Sequence, residues 1–316
     1  MIAEIQNQPL QTAAAEKKRL LSAEKETALT QAILFTVLAY LPPYMLIPIF
    51  QLNAGTTASQ LSMLLVAFSP MLANILTRCI TKDRSTKHFL MPGKGHGHHT
   101  LLYYALALLP MLACTLGALL SLYVAAGAES FRNALNVLWA ADKALPLNRT
   151  ITATTFLQTA LYCIPLCFIY FGEEYGWRGY LTPRLMQLMP KPVAIIVSGI
   201  IWGAWHAPLT AQGHNFGKDY PFFPWLGILI MCGFCILVGG YFSYLQEKTN
   251  SVFPACIAHA MNNNITGTVL GLLAAAAPVL TEKNQARVFV IAMLPMAVVG
   301  VIFTVLLLLP NAAKRT

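Results

Sequence analysis

The stretch Phe171-Gly-Glu-Glu-Tyr-Gly-Trp-Arg-Gly-Tyr180 places two adjacent carboxylates and an arginine within apolar sequence. Residues 155–171, which lead up to the glutamates, carry no charge. A charged side chain within a membrane-length apolar helix costs about 3 kcal/mol or more, so such residues are candidates for function. On a helix, Glu174 and Arg178 share one face, which also allows a simpler interpretation as an ion pair at a helix end. The rest of the chain decides between these interpretations.

The composition indicates a membrane protein. Of the 316 residues, 57% are hydrophobic and 10% are charged, whereas a soluble domain has about 25% charged residues. Apolar runs of about 20 residues recur along the chain, and each can cross a bilayer as a helix. These runs do not alternate with period two, as transmembrane strands would. The sequence therefore predicts an all-α fold, a polytopic membrane bundle of about eight transmembrane helices.

The predicted spans belong to one transmembrane domain, residues 30–316. A polar segment, residues 1–29, precedes it and is expected to be cytoplasmic, with a short surface helix. Pro42 and Pro43 predict a kink in the first span, and a short interfacial helix is expected at about 134–141. The eight spans are expected at about 31–50, 59–78, 100–126, 152–178, 192–211, 222–245, 252–278 and 287–309.

The net charge of +9 does not indicate a nucleic-acid partner. Its basic residues lie at the ends of apolar runs, where they orient the chain and contact anionic lipid. The lipid bilayer is therefore the first predicted partner. No targeting or retention signal is visible, which favours a bacterial plasma membrane over an organelle.

Two other features are interpreted as structural. Most of the seven cysteines lie in apolar runs, and Cys232-Gly-Phe-Cys235 has redox spacing without the βαβ context of a redox fold. We interpret these cysteines as small packing residues. The loop His88–His99 is rich in histidine and glycine. A flexible histidine tract offers no fixed geometry for a metal ion, so its role stays open.

Further polar residues lie within two later spans. The fifth contains Trp202-Gly-Ala-Trp-His206, and the seventh contains His259-Ala-Met-Asn-Asn263. In each, two residues four apart share one helical face. A single histidine in a membrane helix often only bonds a neighbouring helix, a modest stabilisation. Six polar residues on three spans are better explained as one polar chamber within the membrane.

This set of residues suits hydrolysis of a peptide bond. A desolvated glutamate can take a proton from water, and a histidine can hold that water or carry the proton. A histidine and an asparagine amide can donate hydrogen bonds to a carbonyl oxygen as it becomes an oxyanion. Arg178 can keep the second carboxylate ionised and in place. No serine or cysteine has a matching base, so a covalent nucleophile is not expected.

The three motifs, in this order and each in an apolar span, resemble those of the CPBP family. This family comprises the type II CAAX prenyl endopeptidases and the bacterial Abi or bacteriocin-processing proteins. The resemblance rests on Glu173-Glu-Tyr-Gly-Trp-Arg178, Trp202-Gly-Ala-Trp-His206 and His259-Ala-Met-Asn-Asn263, and covers about residues 152–278. Tryptophan at 202 replaces the more usual phenylalanine. It keeps an aromatic ring, so we interpret this difference as minor.

The resemblance implies an intramembrane endopeptidase with a cytoplasm-facing cavity and a catalytic core at about 152–278. Glu173 would be the general base, with His206 holding the water. His259 and Asn263 would bind the oxyanion, and Glu174 and Arg178 would support the site. The expected substrate is a membrane-associated peptide or a prenylated or otherwise lipidated protein.

The involvement of zinc stays open at this point. Glu173, His206 and His259 could supply three ligands and leave a fourth position for water. The same residues could also act without metal, and the chain has no His-Glu-x-x-His motif that would require zinc.

Two alternatives come from other functional classes. The first is a catalytically silent immunity or scaffold protein of the same fold. It does not require a base, an arginine and oxyanion donors together. The second is a proton-coupled transporter, but the internal repeats and broken helix pairs of such folds are not evident.

The fourth span poses a geometric condition. His206 lies fourteen residues into the fifth span, about 21 Å along a helix. Glu173 can reach it only if the fourth helix continues well past Arg178. We therefore expect this helix to extend to about Tyr180, with Gly172, Gly176 and Gly179 allowing close packing.

The distribution of charge predicts the topology. With eight spans, fifteen of the 21 lysines and arginines fall on the side of both termini, and six fall on the opposite side. Because basic residues concentrate on the cytoplasmic side, both termini should be cytoplasmic. A reporter enzyme that functions only in the cytoplasm should be active when it is fused to the C-terminus. Activity of a C-terminal reporter that functions only outside the cytoplasm would contradict this topology.

Overall fold

In a computed structural model, the described residues are 2–50, 55–83, 97–139, 153–276, 281 and 283–309. They form helices throughout, and no strand occurs among them, which confirms the all-α prediction. The helices are α1 Ile2–Ile49, α2 Thr57–Thr81, α3 Gly97–Leu106, α4 Leu109–Trp139, α5 Ala153–Gly176, α6 Thr182–Leu188, α7 Lys191–Trp205, α8 Ala207–Thr210, α9 Trp225–Thr249, α10 Phe253–Ala276 and α11 Gln285–Leu308.

Helices lie within all eight predicted spans, but the span 100–126 is divided between α3 and α4, and the span 192–211 between α7 and α8. Within the described residues, five helical segments are long and apolar enough to cross a membrane, and α7 is a shorter apolar helix. The helices α5 and α10 have 24 residues each, about 36 Å at 1.5 Å per residue. The chain is an integral membrane protein. The five segments are Arg19–Ile49, Thr57–Thr81, Thr100–Ala125, Trp225–Thr249 and Gln285–Leu308.

Two local expectations differ from the structure, and a third concerns residues that lie mostly outside the described ranges. The predicted surface helix and the first span are one helix, α1, which continues through Pro42 and Pro43. The interfacial helix expected at 134–141 is the end of α4, which runs to Trp139 beyond a kink at Gly127. The histidine-rich loop lies outside the described residues up to residue 96, and α3 begins at Gly97.

The packing places α5 beside the other helices that carry the polar motifs. It packs against α10 and α2, while α10 also contacts α4 and α9. The helix α7 packs along α9, and α11 lies against α4 and α9. The three motifs therefore meet among α5, α7 and α10, with α9 beside them.

The chain stays helical well beyond Arg178, as the geometric condition required. After α5, a π-helical turn spans Trp177–Leu181, and α6 then continues to Leu188. In this turn the Thr182 N–H bonds the Trp177 carbonyl, five residues earlier. Turns of this kind often occur at functional sites, because the inserted residue changes the direction of the side chains around it. Arg178 lies in this turn and is 2% exposed, so it is a buried residue and not the loop charge that the topology count assumed.

Two glycines of α5 allow a close approach to α2, as expected. A Cβ atom added to Gly176 would lie 2.4 Å from Pro70 Cβ and 2.6 Å from the Pro70 carbonyl oxygen. A Cβ on Gly172 would lie 2.8 Å from the Ala67 carbonyl oxygen. Because these neighbours are mainly backbone, the helices would have to separate to accept any side chain.

We predict that Gly176→Ala destabilises the protein by about 1–3 kcal/mol, the usual effect of overpacking. Gly233→Ala on α9 is the matched control, because no atom lies within 4 Å of a Cβ added there. Thermal unfolding in detergent should show a lower melting temperature for Gly176→Ala only. Equal melting temperatures for both variants would mean that α2 and α5 can separate without loss.

Candidate active site

Three helices supply the six residues expected from the sequence. The helix α5 and the π-helical turn carry Glu173, Glu174 and Arg178, and α10 carries His259 and Asn263. His206 lies between α7 and α8, where the helix breaks. The structure links Glu174, Arg178 and His259 by direct bonds, while Trp202 connects Glu173 and His206.

Glu174 is the centre of a buried polar network. Its Oε1 atom accepts a hydrogen bond from Arg178 Nη1 at 2.9 Å and lies 2.8 Å from His259 Nδ1. The side chains of all three residues are at most 3% exposed. A charged carboxylate at this depth requires such partners, since an unpaired buried charge is strongly destabilising. The expected support of Glu174 by Arg178 is present in the geometry.

Arg178 is enclosed by aromatic rings. The guanidinium carbon lies 4.1 Å from the ring centroid of Trp202 and 5.1 Å from that of Phe242. Both distances are within the range of cation–π attraction, which is stronger in a desolvated site. Gly239 of α9 leaves room for the guanidinium, because a Cβ added there would lie 2.9 Å from Arg178 Nη2. These contacts fix the arginine that holds Glu174.

Glu173 has a different environment. Its Oε2 accepts a hydrogen bond from the indole Nε1 of Trp202 at 2.9 Å, and the residue is 8% exposed. Phenylalanine could not make this bond. The interpretation of tryptophan at this position as a minor difference was therefore wrong: its indole orients the carboxylate expected to be the base.

His206 is placed by the end of α7. Its Nδ1 lies 2.9 Å from the Trp202 carbonyl oxygen, and because that oxygen only accepts, Nδ1 must donate. In the neutral ring, Nε2 then carries a lone pair and can accept a hydrogen from water. Two tyrosines of α1 also bond carbonyls near this helix end: Tyr40 donates to Ile201 at 2.6 Å and Tyr44 donates to Ala204 at 2.9 Å.

His259 has its Nδ1 engaged with Glu174. Because Arg178 also donates to this carboxylate oxygen, we assign His259 Nδ1 as a second donor to it. The Nε2 atom of a neutral His259 accepts hydrogen bonds, and it donates only when the ring is protonated.

Asn263 is oriented by its neighbour. Asn262 Nδ2 donates to Asn263 Oδ1 at 2.8 Å, and the Asn263 amide also contacts the Tyr170 phenol, which leaves one of its two amide hydrogens for another acceptor. Asn262 is in turn contacted by the Cys114 thiol, whose sulfur lies 3.7 Å from Asn262 Oδ1. The expected role of Asn263 as a hydrogen-bond donor is therefore compatible with its amide orientation.

A cavity of about 350 Å³ adjoins these groups. Its polar wall includes Trp202, His206, His259 and Asn263. Glu173 is not among the described lining residues, but it accepts a hydrogen bond from Trp202, which is one of them. The opposite wall is apolar and includes Met231, Phe234, Phe289, Met293 and Met296.

The candidate zinc ligands do not fit a metal site in this arrangement. Within the described parts of the chain, no group of three or more His, Cys, Asp and Glu side chains could hold a metal ion. Glu173 bonds Trp202, and His259 bonds Glu174. Glu173, His206 and His259 are therefore near one another in the fold without converging on one point.

Comparison with known proteins identifies the core of the chain. Residues 155–265 match the family model described as type II CAAX prenyl endopeptidase Rce1-like. This match supports membership of the CPBP family. The match covers about a third of the sequence and includes all six candidate site residues. No curated protein matches the chain.

The family match supports a CAAX-protease-type fold, but several groups at the candidate site were not predicted. These are the Trp202 indole, the Asn262 amide and the Tyr170 phenol. Tyr170 precedes Glu173 and Glu174 by three and four residues, so helical spacing alone could have placed it beside them. The Asn262 bond had no such signal, because adjacent helical residues do not normally face each other.

We predict that Trp202→Phe destabilises the protein more than Trp177→Phe does. Both rings are buried, but Trp177 Nε1 has no hydrogen-bond partner among the described residues, whereas Trp202 Nε1 bonds Glu173. The difference should be about 1.5–3 kcal/mol, the usual contribution of a hydrogen bond to a charged group. Thermal unfolding in detergent measures it.

The same comparison in a Glu173→Gln background is the control. If the loss comes from the Trp202–Glu173 bond, replacing the carboxylate should reduce the difference between the two tryptophan variants. An unchanged difference in that background would show that packing, and not this bond, causes it.

Proposed function

We propose that the chain is an intramembrane endopeptidase of the CAAX prenyl protease type, which uses water activated by Glu173. The observation that carries this proposal is the bonded group Glu174–Arg178–His259, buried beside Glu173 within an apolar helical bundle. Burying these ionisable groups opposes folding unless they are well paired. A network of this kind is expected where its electrostatics serve a reaction.

In the proposed reaction, the Glu173 carboxylate takes a proton from water as the water oxygen attacks the carbonyl carbon of the scissile bond. His206 accepts a hydrogen bond from this water through Nε2. The carbonyl oxygen becomes an oxyanion and receives a hydrogen bond from the Asn263 amide. When the C–N bond breaks, protonated Glu173 gives its proton to the leaving nitrogen.

Glu174 and Arg178 act on His259. The shared Glu174 oxygen fixes the His259 ring through Nδ1. When the ring is protonated, His259 Nε2 donates a second hydrogen bond to the oxyanion. Arg178 pairs with the same Glu174 oxygen and compensates the carboxylate in the buried site.

The substrate class follows from the family and from the cavity. The matched family is described by CAAX prenyl endopeptidase activity. The wall built from methionines and phenylalanines suits an apolar chain beside a scissile peptide bond, since such side chains adapt to varied apolar ligands. We propose a prenylated or otherwise lipidated peptide as substrate. A bacterial plasma membrane with both termini in the cytoplasm remains the proposed location.

One observation favours the alternative of a catalytically silent immunity or scaffold protein. Glu173 is absent from the described lining of the cavity, where water and substrate would have to reach it. A silent protein could keep the same buried network for its fold alone. Only a test of activity separates these two functions.

We predict that Glu173→Gln abolishes cleavage of a fluorogenic peptide ending in an S-farnesylated CAAX sequence. The amide keeps the shape of the side chain but cannot act as the base. Glu247→Gln is the matched control, because Glu247 is an exposed carboxylate paired with Lys191 at 2.8 Å. Cleavage by detergent-purified wild type, Glu173→Gln and Glu247→Gln should be measured beside thermal unfolding.

The expected result is activity in wild type and Glu247→Gln, and none in a folded Glu173→Gln protein. Wild-type turnover by Glu173→Gln would exclude Glu173 as the base. Specific binding of the peptide by the wild type without any cleavage would support the silent alternative.

A further inference from the structure

Tyr170 has a position that the reaction above does not use. It lies on α5 three and four residues before Glu173 and Glu174, so it is on the same helical face. Its ring centroid is 4.6 Å from that of His259. Tyr170 also lines the same cavity as His259 and Asn263. Its phenol is therefore at the proposed reaction site.

The hydrogen bonds of this phenol have a defined direction. Asn264 Nδ2 donates to Tyr170 Oη at 3.1 Å, and the same nitrogen donates to the Ala260 carbonyl oxygen at 2.8 Å. The two amide hydrogens of Asn264 are thus both used, and the phenol oxygen acts as an acceptor. The phenol hydrogen remains available to a third group.

The proposed oxyanion site has few neutral hydrogen-bond donors, and Tyr170 can supply another. His259 Nδ1 is used by Glu174, so its ring donates through Nε2 only when it is protonated. Asn263 is then the one neutral donor assigned to the oxyanion so far. A phenol donates without any change of charge, and its hydrogen bond strengthens as the carbonyl oxygen becomes negative.

We propose that Tyr170 is a further catalytic residue, which donates its phenol hydrogen bond to the oxyanion, and that Asn264 is its positioning residue. This inference rests on the proposed hydrolysis. No covalent bond forms to Tyr170, and its proton stays on Oη throughout the reaction. The phenol contributes in the transition state more than in the bound substrate, so it acts on kcat rather than on KM.

The test compares Tyr170→Phe with Tyr162→Phe. Tyr162 is on the same helix and is 61% exposed, so the control loses the same atom outside the site. With the S-farnesylated CAAX peptide, Tyr170→Phe should lower kcat by about 100- to 1000-fold, the usual loss for one oxyanion donor. The KM should stay within about threefold, and Tyr162→Phe should match the wild type.

A second variant tests the positioning by Asn264. Asn264→Ala keeps the phenol but removes the bond that orients it, so it should also lower kcat. In a Tyr170→Phe background, Asn264→Ala should cause little further loss, because both changes act through one hydroxyl. Independent, additive losses would overturn the positioning role.

The outcomes separate this inference from the proposed function. Wild-type cleavage together with equal kcat for Tyr170→Phe and Tyr162→Phe would overturn the role of Tyr170 and leave the protease intact. A wild type without cleavage would overturn both. If Tyr170→Phe failed to give a folded protein by thermal unfolding, Asn264→Ala would decide, and an unchanged kcat in that variant would count against the phenol.

Discussion

The site depends on one carboxylate oxygen, Oε1 of Glu174, which binds both Arg178 and His259. This oxygen joins α5 and its π-helical turn to α10 deep within the bundle. Arg178 is held by the rings of Trp202 and Phe242, so the ion pair also ties α7 and α9 to the same point. Because each of these groups would be costly to bury alone, the four helices are stable together only in an arrangement that pairs them.

The two adjacent glutamates thereby receive different environments. Glu174 is fully buried and binds a cationic and an imidazole partner through Oε1, while Glu173 accepts one neutral indole hydrogen bond and keeps a small exposed area. Neighbouring carboxylates with contrasting surroundings can take contrasting tasks, one holding charge and the other exchanging protons. In this protein the division arises from the rotation of about 100° between successive residues of α5, which directs them toward different neighbours.

The helix positions and the grouping of the three polar motifs followed from the sequence, because apolar length and four-residue spacing are local properties. The hydrogen bonds between side chains of different helices could not be predicted from the sequence. Spacing places His259 on one face of α10 but does not fix the rotation of α10 relative to α5, so the sequence grouped His259 with Glu173 as zinc ligands although its imidazole bonds Glu174. The indole bond of Trp202 was missed for a similar reason, since it requires the distance between α7 and α5.

Tyr40 and Tyr44 of α1 donate hydrogen bonds to carbonyl oxygens at the end of α7 and so connect the first helix to the site. A helix that ends inside a bilayer exposes carbonyl oxygens that lipid cannot satisfy. Here α1, which lies outside the segment that matches the CPBP family, supplies two of the missing donors. The break that positions His206 is thus supported by a helix about 160 residues earlier in the chain. The matched core and the first helix are therefore joined by direct hydrogen bonds, even though the family match covers only one of them.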